Sequence, residues 1–287
     1  MVPLLNGKEN MYLVRGKRGG KIPFTNAVLV GDHLFDTGVS RARLRYLREH
    51  FEVNTVVFSH YHDDHVRNNK ILSKKAQFWC PQQEREIIEN SERLLEQYAL
   101  IGTPAEDMFR KFLRYSIKIT DTKINETYAS GDVFEIGTRE FRVLHAPGHS
   151  KGHSIFHEED LKFAYLADID LSDFGPWYGA RDCDILDFER SIDMIKGLDL
   201  DVVVTGHSGL FTGKKNIRER LDRYKSIIYK RDDLLLEMFK ETAPLGLEDL
   251  EGRTLLYKTY GTFPEFIRIM EKNMIQIANM GNITKDD

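Results

Sequence analysis

Residues 60–65 read HYHDDH, placing three histidines and two aspartates in six positions of a chain that holds ten histidines in all. They follow TVVFS, an apolar, β-branched run of strand type, so the fold has to deliver these side chains to the end of a strand. Burying three imidazoles and two carboxylates together without a cation would be prohibitively costly, and an apolar strand aimed at a merely solvated loop would serve no purpose. In an extended chain His60 and His62 point the same way while Tyr61 and Asp63 point elsewhere, which is the spacing of two ligands on one cation. Asp64 and His65 lie just beyond, where a turn can swing them toward a second cation. Imidazole and carboxylate donors without thiolate suit zinc, with iron or manganese as alternatives.

Three further segments repeat the pattern of an apolar strand ending in a potential ligand. FRVLHAPGHSKGHS carries His149 after a Pro-Gly turn, FAYLAD ends in Asp168, and DVVVTGH ends in His207. A single strand-end Asp or His is commonly a turn residue or a satisfied polar group. Several strand ends converging on one edge of a sheet, by contrast, make a cleft.

The intervening pattern is that of an α/β body. MYLVRG, NAVLVG, DHLFDTG and TVVFSH are expected strands, with a helix over VSRARLRYLREHF, where Leu44, Leu47 and Phe51 recur at helical spacing. From about residue 81 to 120 the pattern turns helical, too long for a loop and expected as an inserted helical layer. Strands are expected again at DVFEIG, REFRVLHAPG, SIFHEE and KFAYLADID, then a helix at DFERSIDMIKGLD and a strand at VVVTGH. After residue 212 a long amphipathic helix begins, with helices also expected over LEDLEGRTLLYKTYG and PEFIRIMEKNMIQIANMGNI. The expected division is 1–212 for the α/β domain and 213–287 for a C-terminal helical region.

HYHDDH matches the HxHxDH signature of the metallo-β-lactamase superfamily, and the other motifs follow in that family's order. LFDTG resembles the first motif, where Asp36 orders the loops of the site without necessarily binding metal. HAPGHSKGH resembles the third, in its glyoxalase II version, AYLAD the fourth and TGHSG the fifth. The resemblance implies a four-layer αββα sandwich with a dinuclear site at the edge between two sheets. It implies that His60, His62 and His149 hold one metal, that Asp64, His65 and His207 hold the other, and that Asp168 bridges them. His145, His153 and His157 are left over; His145, within the preceding strand, is expected to be a packed, hydrogen-bonded residue, and His153, in the place of a second histidine of the glyoxalase II motif, a structural one. Tyr178, in DFGPWYG, stands where lactonase-like members carry a tyrosine that polarises the substrate carbonyl. The tail resembles the small helical domain of β-lactamase-like-2 type proteins.

Two divalent cations offset by Asp64, Asp168 and a bridging hydroxide leave a net positive centre suited to an anionic tetrahedral or phosphorane-like transition state. Hydrolysis of a small ester, thioester or lactone is therefore expected, with a metal-bound hydroxide as nucleophile and Asp64 as both ligand and proton acceptor. The alternatives are a mononuclear iron persulfide dioxygenase and a phosphodiesterase or endoribonuclease. A net charge of −4 with no dense Lys/Arg face in the tail argues against nucleic acid, although RGKRGGK forms a local basic, Gly-rich tip. Cys80 and Cys183 form no CxxC pair, and no stretch approaches the roughly 18 apolar residues that span a bilayer. A cytoplasmic enzyme acting on a small molecule is expected, without a membrane partner; a homodimer is compatible with the sequence.

Overall fold

The apolar runs fold as strands, Ala27–Val30, Thr55–Val57, Ser154–Glu158 and Phe163–Tyr165 buried along their whole length and Val133–Ile136 alternating. In a computed structural model that describes residues 1–5, 10–241 and 264–283, they assemble into two sheets. The first holds β1 (Val2–Pro3), β2 (Met11–Val14), β3 (Ala27–Val30), β4 (His33–Phe35), β5 (Thr55–Val57), β6 (Gln77–Pro81) and β7 (Glu126–Tyr128), side by side in chain order. The second holds β8 (Val133–Ile136), β9 (Arg139–His145), β10 (Ser154–Glu158), β11 (Phe163–Tyr165), β12 (Val202–Thr205) and β13 (Gly209–Thr212), again in chain order. The helices are α1 (Arg41–His50), α2 (Arg85–Glu89), α3 (Arg93–Gln97), α4 (Glu106–Lys111), α5 (Ile185–Gly197), α6 (Lys214–Glu241) and α7 (Pro264–Ile283). Among the described residues none is long and apolar enough to cross a membrane.

Alternation along each strand creates two cores. In β3, Val28 and Val30 join Phe35, Val57, Phe141, Phe156 and Tyr165 between the sheets, while Ala27 and Leu29 face outward with Leu34 and Val56. Leu44 and Leu47 of α1 belong with that outward group; Phe188 and Ile192 of α5 belong with Ile155, Ala164 and Val203 of the second sheet. The result is helix, sheet, sheet, helix: the expected αββα sandwich. β4 pairs parallel with β5 across α1, and β11 with β12 across α5, so the carboxyl ends of these four strands lie where crossovers begin and loops can gather.

The helical insert differs in detail from expectation. It is not one helical stretch of some 35 residues but α2, α3, α4 and a π-helical turn over Phe112–Ile117, flanked by β6 and β7. Asn90 ends α2 in extended conformation, and Ala99 and Gly102 take positive φ, which no continuing helix allows. Neither of the flanking strands, nor β1 and β13, is among the strands expected from the sequence pattern. The long C-terminal helix is present as α6, whose Ile217, Leu221, Tyr224 and Ile228 join the same core as α5, and α7 adds Met270 and Met274. The helix expected over LEDLEGRTLLYKTYG lies outside the described residues.

Candidate metal centre

Four loops carry the predicted ligands to one edge of the sandwich: the loop after β5, the turn between β9 and β10, the residues after β11 and the turn between β12 and β13. HYHDDH is not extended; it follows β5 as a turn in which the His62 carbonyl accepts from the His65 and Val66 N–H groups at 2.9 and 3.1 Å. His60 and His62 nevertheless converge, while Tyr61 turns away to donate to Asp182 Oδ1 at 2.8 Å and Asp63 accepts from Tyr98 Oη at 2.9 Å.

Two donor sets result. His60, His62, His149 and Asp168 form one, and Asp64, His65 and His207 the other, each with its candidate ligand atoms within 4.8 Å of one another. In the first, His62 Nδ1 lies 2.8 Å from His149 Nε2 and 3.1 Å from His60 Nε2, and Asp168 Oδ2 lies 3.1 Å from His149 Nε2. In the second, Asp168 Oδ1 approaches His65 Nε2 at 2.8 Å and His207 Nε2 at 3.3 Å, and Asp64 Oδ2 is 3.3 Å from His207 Nε2. One carboxylate thus presents an oxygen to each set.

The donor chemistry fits a pair of divalent cations. His65 Nε2, His207 Nε2 and Asp168 Oδ1 are buried and close together, yet none makes a directed hydrogen bond, and His62 Nε2 is likewise without a partner. Burial, reinforced by neighbouring imidazoles, holds His60 and His62 well below 6.5, so their lone pairs are free at neutral pH. His65 is opposite: burial pushes its pKa down, but Asp168 and Asp36 on either side drive it well above 6.5. That field calls for positive charge at the Nε2 side of the ring, which a cation would supply.

A further layer of side chains fixes these donors. Asp36, at φ +66° and wholly buried, accepts from Ser59 N (2.8 Å), Ser59 Oγ (2.7 Å), Tyr165 Oη (2.6 Å) and His65 Nδ1 (2.7 Å), and so orders the loops rather than joining either donor set. His149 Nδ1 donates to the Trp177 carbonyl at 2.9 Å and His207 Nδ1 to the Gly20 carbonyl at 2.7 Å, which turns each Nε2 lone pair inward. Gly20, at φ +92°, has to be glycine there: a Cβ would meet Asn26 Nδ2 at 2.6 Å and Gly206 O at 2.7 Å.

Of the leftover histidines, His153 is fully buried, with Nδ1 donating to Ala146 O at 2.9 Å and Nε2 accepting from Asp168 N at 3.2 Å, so it positions Asp168. His145 Nε2 donates to Lys151 O at 2.8 Å. Tyr178, expected at the substrate, is buried with its ring under the Arg231 guanidinium at 5.4 Å; its neighbour Trp177 is the residue that faces His62 and His149, at 5.3 and 5.6 Å between ring centroids. The insert supplies Tyr98, whose ring lies 5.6 Å from His62, and behind it Phe109, which stacks on Phe266 of α7. Tyr98 and Phe109 are buried, whereas Tyr115 is exposed. From α6, Tyr224 Oη donates to the Asp168 carbonyl at 3.0 Å.

Glu84, which no motif singles out, ties two of these loops together. Its Oε1 accepts from Ser150 Oγ at 2.5 Å and Gly152 N at 2.7 Å, beside the Tyr61 N–H. Burial raises its pKa from 4.5 to about 8, aided by Asp182 and only partly opposed by those donors. A folded-state pKa above the unfolded one means that stability is full below about 4.5 and is lost as pH rises toward about 8. Between pH 6 and 9 this contribution is expected to fall by on the order of 2 kcal/mol. Glu84→Gln, which mimics the protonated acid, should flatten that part of the profile; urea unfolding of both proteins across this range checks it, and parallel profiles would reject it.

Strand-end histidines and carboxylates grouped for divalent metal on an αββα sandwich define a metallohydrolase fold of a known kind. The profile of the metallo-beta-lactamase superfamily matches residues 9–207, and the chain belongs to that superfamily. It is 24% identical over 219 residues to the acyl-coenzyme A thioesterase MBLAC2 of Homo sapiens, covering 74% of this chain and 77% of the relative. It is 26% identical over 187 residues to the hydroxyacylglutathione hydrolase GloC of Haemophilus influenzae, covering 62% of this chain and 80% of the relative. Among solved structures, a metallo-beta-lactamase family protein from Thermus thermophilus shares the fold with a TM-score of 0.69 at 22% identity, over 96% of this chain and 94% of that one.

Proposed function

We propose that this metallo-beta-lactamase superfamily hydrolase cleaves a thioester, with His60, His62 and His149 holding one zinc, Asp64, His65 and His207 a second, and Asp168 shared between them. The observation that supports the reading most directly is the split carboxylate of Asp168, one oxygen toward each donor set. Within the expected range of esters, thioesters and lactones, the two named relatives both point to thioesters.

Bound there, divalent cations supply Lewis acidity and lower the pKa of a coordinated water from 15.7 to about 7, which makes hydrolysis accessible at neutral pH. The chain's own residues supply the rest. Burial alone would raise the Asp64 pKa, but His207, whose Nε2 approaches its carboxylate at 3.3 Å, and the charge of His65 lower it to about 2, so Asp64 stays ionised and serves as proton acceptor. A thiolate leaving group, with a pKa near 8.5, departs without a proton donor, which suits a centre whose Asp64 and Asp168 are both ionised. Trp177 and Tyr98 form an apolar wall beside His62, where an acyl group can lie with its carbonyl turned toward the donor sets. Tyr178 takes no step in this reading; its ring packs under Arg231.

Elemental analysis of the purified protein with a panel of thioesters, lactones, β-lactams and bis(p-nitrophenyl) phosphate tests the reading. About two zinc per chain are expected, with thioesters the fastest substrates, activity lost on chelation and restored by Zn²⁺. One iron per chain with oxygen uptake on a persulfide, or cleavage confined to the phosphodiester, would replace it.

A further inference from the structure

A cavity of about 570 Å³ opens between the loop before β3 and the start of α1, lined by Lys17, Phe24, Ser40, Arg41, Arg43 and Arg67, and no carboxylate lines it. It adjoins the Asp64, His65 and His207 set: Arg67 stands two residues beyond His65, and Lys17 lies in the loop whose Gly20 carbonyl accepts from His207.

The charges here are arranged against the interest of the protein alone. The first turn of α1 carries Arg41 and Arg43 and no acid, although the positive end of a helix dipole favours anions and repels cations. Lys17, Arg41 and Arg43 make no ion pair among the described residues. Arg67 is only 5% exposed, yet its Nε has no hydrogen-bond partner. Its terminal nitrogens hold the Pro23 and Ser116 carbonyls, and its guanidinium lies 4.6 Å over the Phe24 ring, with Lys17 Nζ 5.7 Å from the same ring. A buried cation with a spare N–H, three more cations and a helix N-terminus around one cavity form a receptor for a multiply charged anion.

We infer that this cavity is a phosphate subsite that selects thioesters of a phosphate-bearing nucleotide carrier, as in an acyl-coenzyme A. The inference rests on the thioesterase reading above for the reaction, while the subsite itself stands on its own residues. A nucleotide 3′-phosphate and pyrophosphate together bring several negative charges, which four cations match. The peptide of a glutathione thioester, with two carboxylates and one ammonium, brings a single net charge and leaves most of them uncompensated.

Binding of adenosine 3′,5′-bisphosphate by calorimetry, on the zinc-loaded full chain, reads the subsite without any catalysis. The double variant Arg41→Glu/Arg43→Glu should fold, since both side chains are exposed and acids suit that helix end, and should weaken binding by about 30-fold or more. Arg48→Glu, a charge reversal in the last turn of the same helix and outside the lining of the cavity, should keep the binding. In turnover, the kcat/KM advantage of an acyl-coenzyme A over the same acyl group on N-acetylcysteamine should collapse in the double variant, mainly through KM. No bisphosphate binding, equal binding by the double variant, or inorganic phosphate binding as tightly as the bisphosphate would overturn the subsite. Thioester cleavage without preference for the nucleotide carrier would overturn it while leaving the thioesterase reading standing. Bisphosphate binding lost in the double variant of a protein that cleaves neither thioester would uphold the subsite and overturn that reading instead.

Discussion

Asp168→Asn is expected to lower turnover by at least about a thousandfold, roughly 4 kcal/mol of barrier, while the chain stays folded. The carboxylate presents Oδ1 to His65 and His207 and Oδ2 to His149. An amide of the same volume can offer one neutral oxygen to one side, and its NH₂ then faces imidazole on the other. The lost negative charge also removes the field that His65 and His207 answer: in the protein, burial depresses both rings, and Asp168 is the leading influence raising them again. The fold should survive, because the backbone of Asp168 is held independently, its N–H by His153 and its carbonyl by Tyr224. Asp64→Asn is expected to act in the same direction through the second donor set alone. Turnover, zinc content and near-UV circular dichroism on both variants check the expectation; a zinc-loaded Asp168→Asn that turns over at the wild-type rate would remove Asp168 from the chemistry.

The centre was more legible in the sequence than the walls around it, and the difference has a physical origin. The candidate ligands occupy positions where a strand must end, so apolar runs closing on His60, Asp168 and His207 advertise them even before a family resemblance is drawn. At residues 60–65 a turn, not an extended segment, brings His60 and His62 together. Supporting residues leave no such trace. Glu84 sits in PQQEREIIE as an ordinary polar residue, and only the fold reveals that it reaches Ser150 and Gly152, 66 and 68 residues away. In DFGPWYG the resemblance drew attention to Tyr178, whereas the backbone turns Trp177 toward the histidines. The strands β7 and β13 are sheet edges of three and four residues with only Tyr128 buried between them, so no apolar run marks them. The cations of the cavity beside α1 lie at positions 17, 41, 43 and 67, and no linear window contains them.

Gly148→Ala is expected to damage stability and the centre together. Gly148 takes φ +122°, a region closed to residues with a Cβ, and it forms the Pro-Gly turn that aims His149. An added Cβ would stand 2.3 Å from the N and Cα of Phe188 in α5, and backbone there cannot swing aside as the tip of a side chain can. Strain at the turn and overpacking against α5 together amount to about 3–5 kcal/mol, or roughly 6–15 °C in Tm. The protein has only two ways to relieve the clash. Moving α5 opens the core around Phe188 and Ile192, while moving the turn carries His149 off the nitrogens of His60 and His62. A displacement of about 1 Å in the latter case costs about a hundredfold in turnover, so stability and activity should fall together. Gly197→Ala provides the contrast: it closes α5, keeps negative φ and has open space around its Cβ, so it should be neutral or slightly stabilising. Thermal unfolding and zinc titration of the two variants separate the cases, and a Gly148→Ala protein that melts with wild type and binds zinc as tightly would mean that the Pro-Gly turn does not set the position of His149.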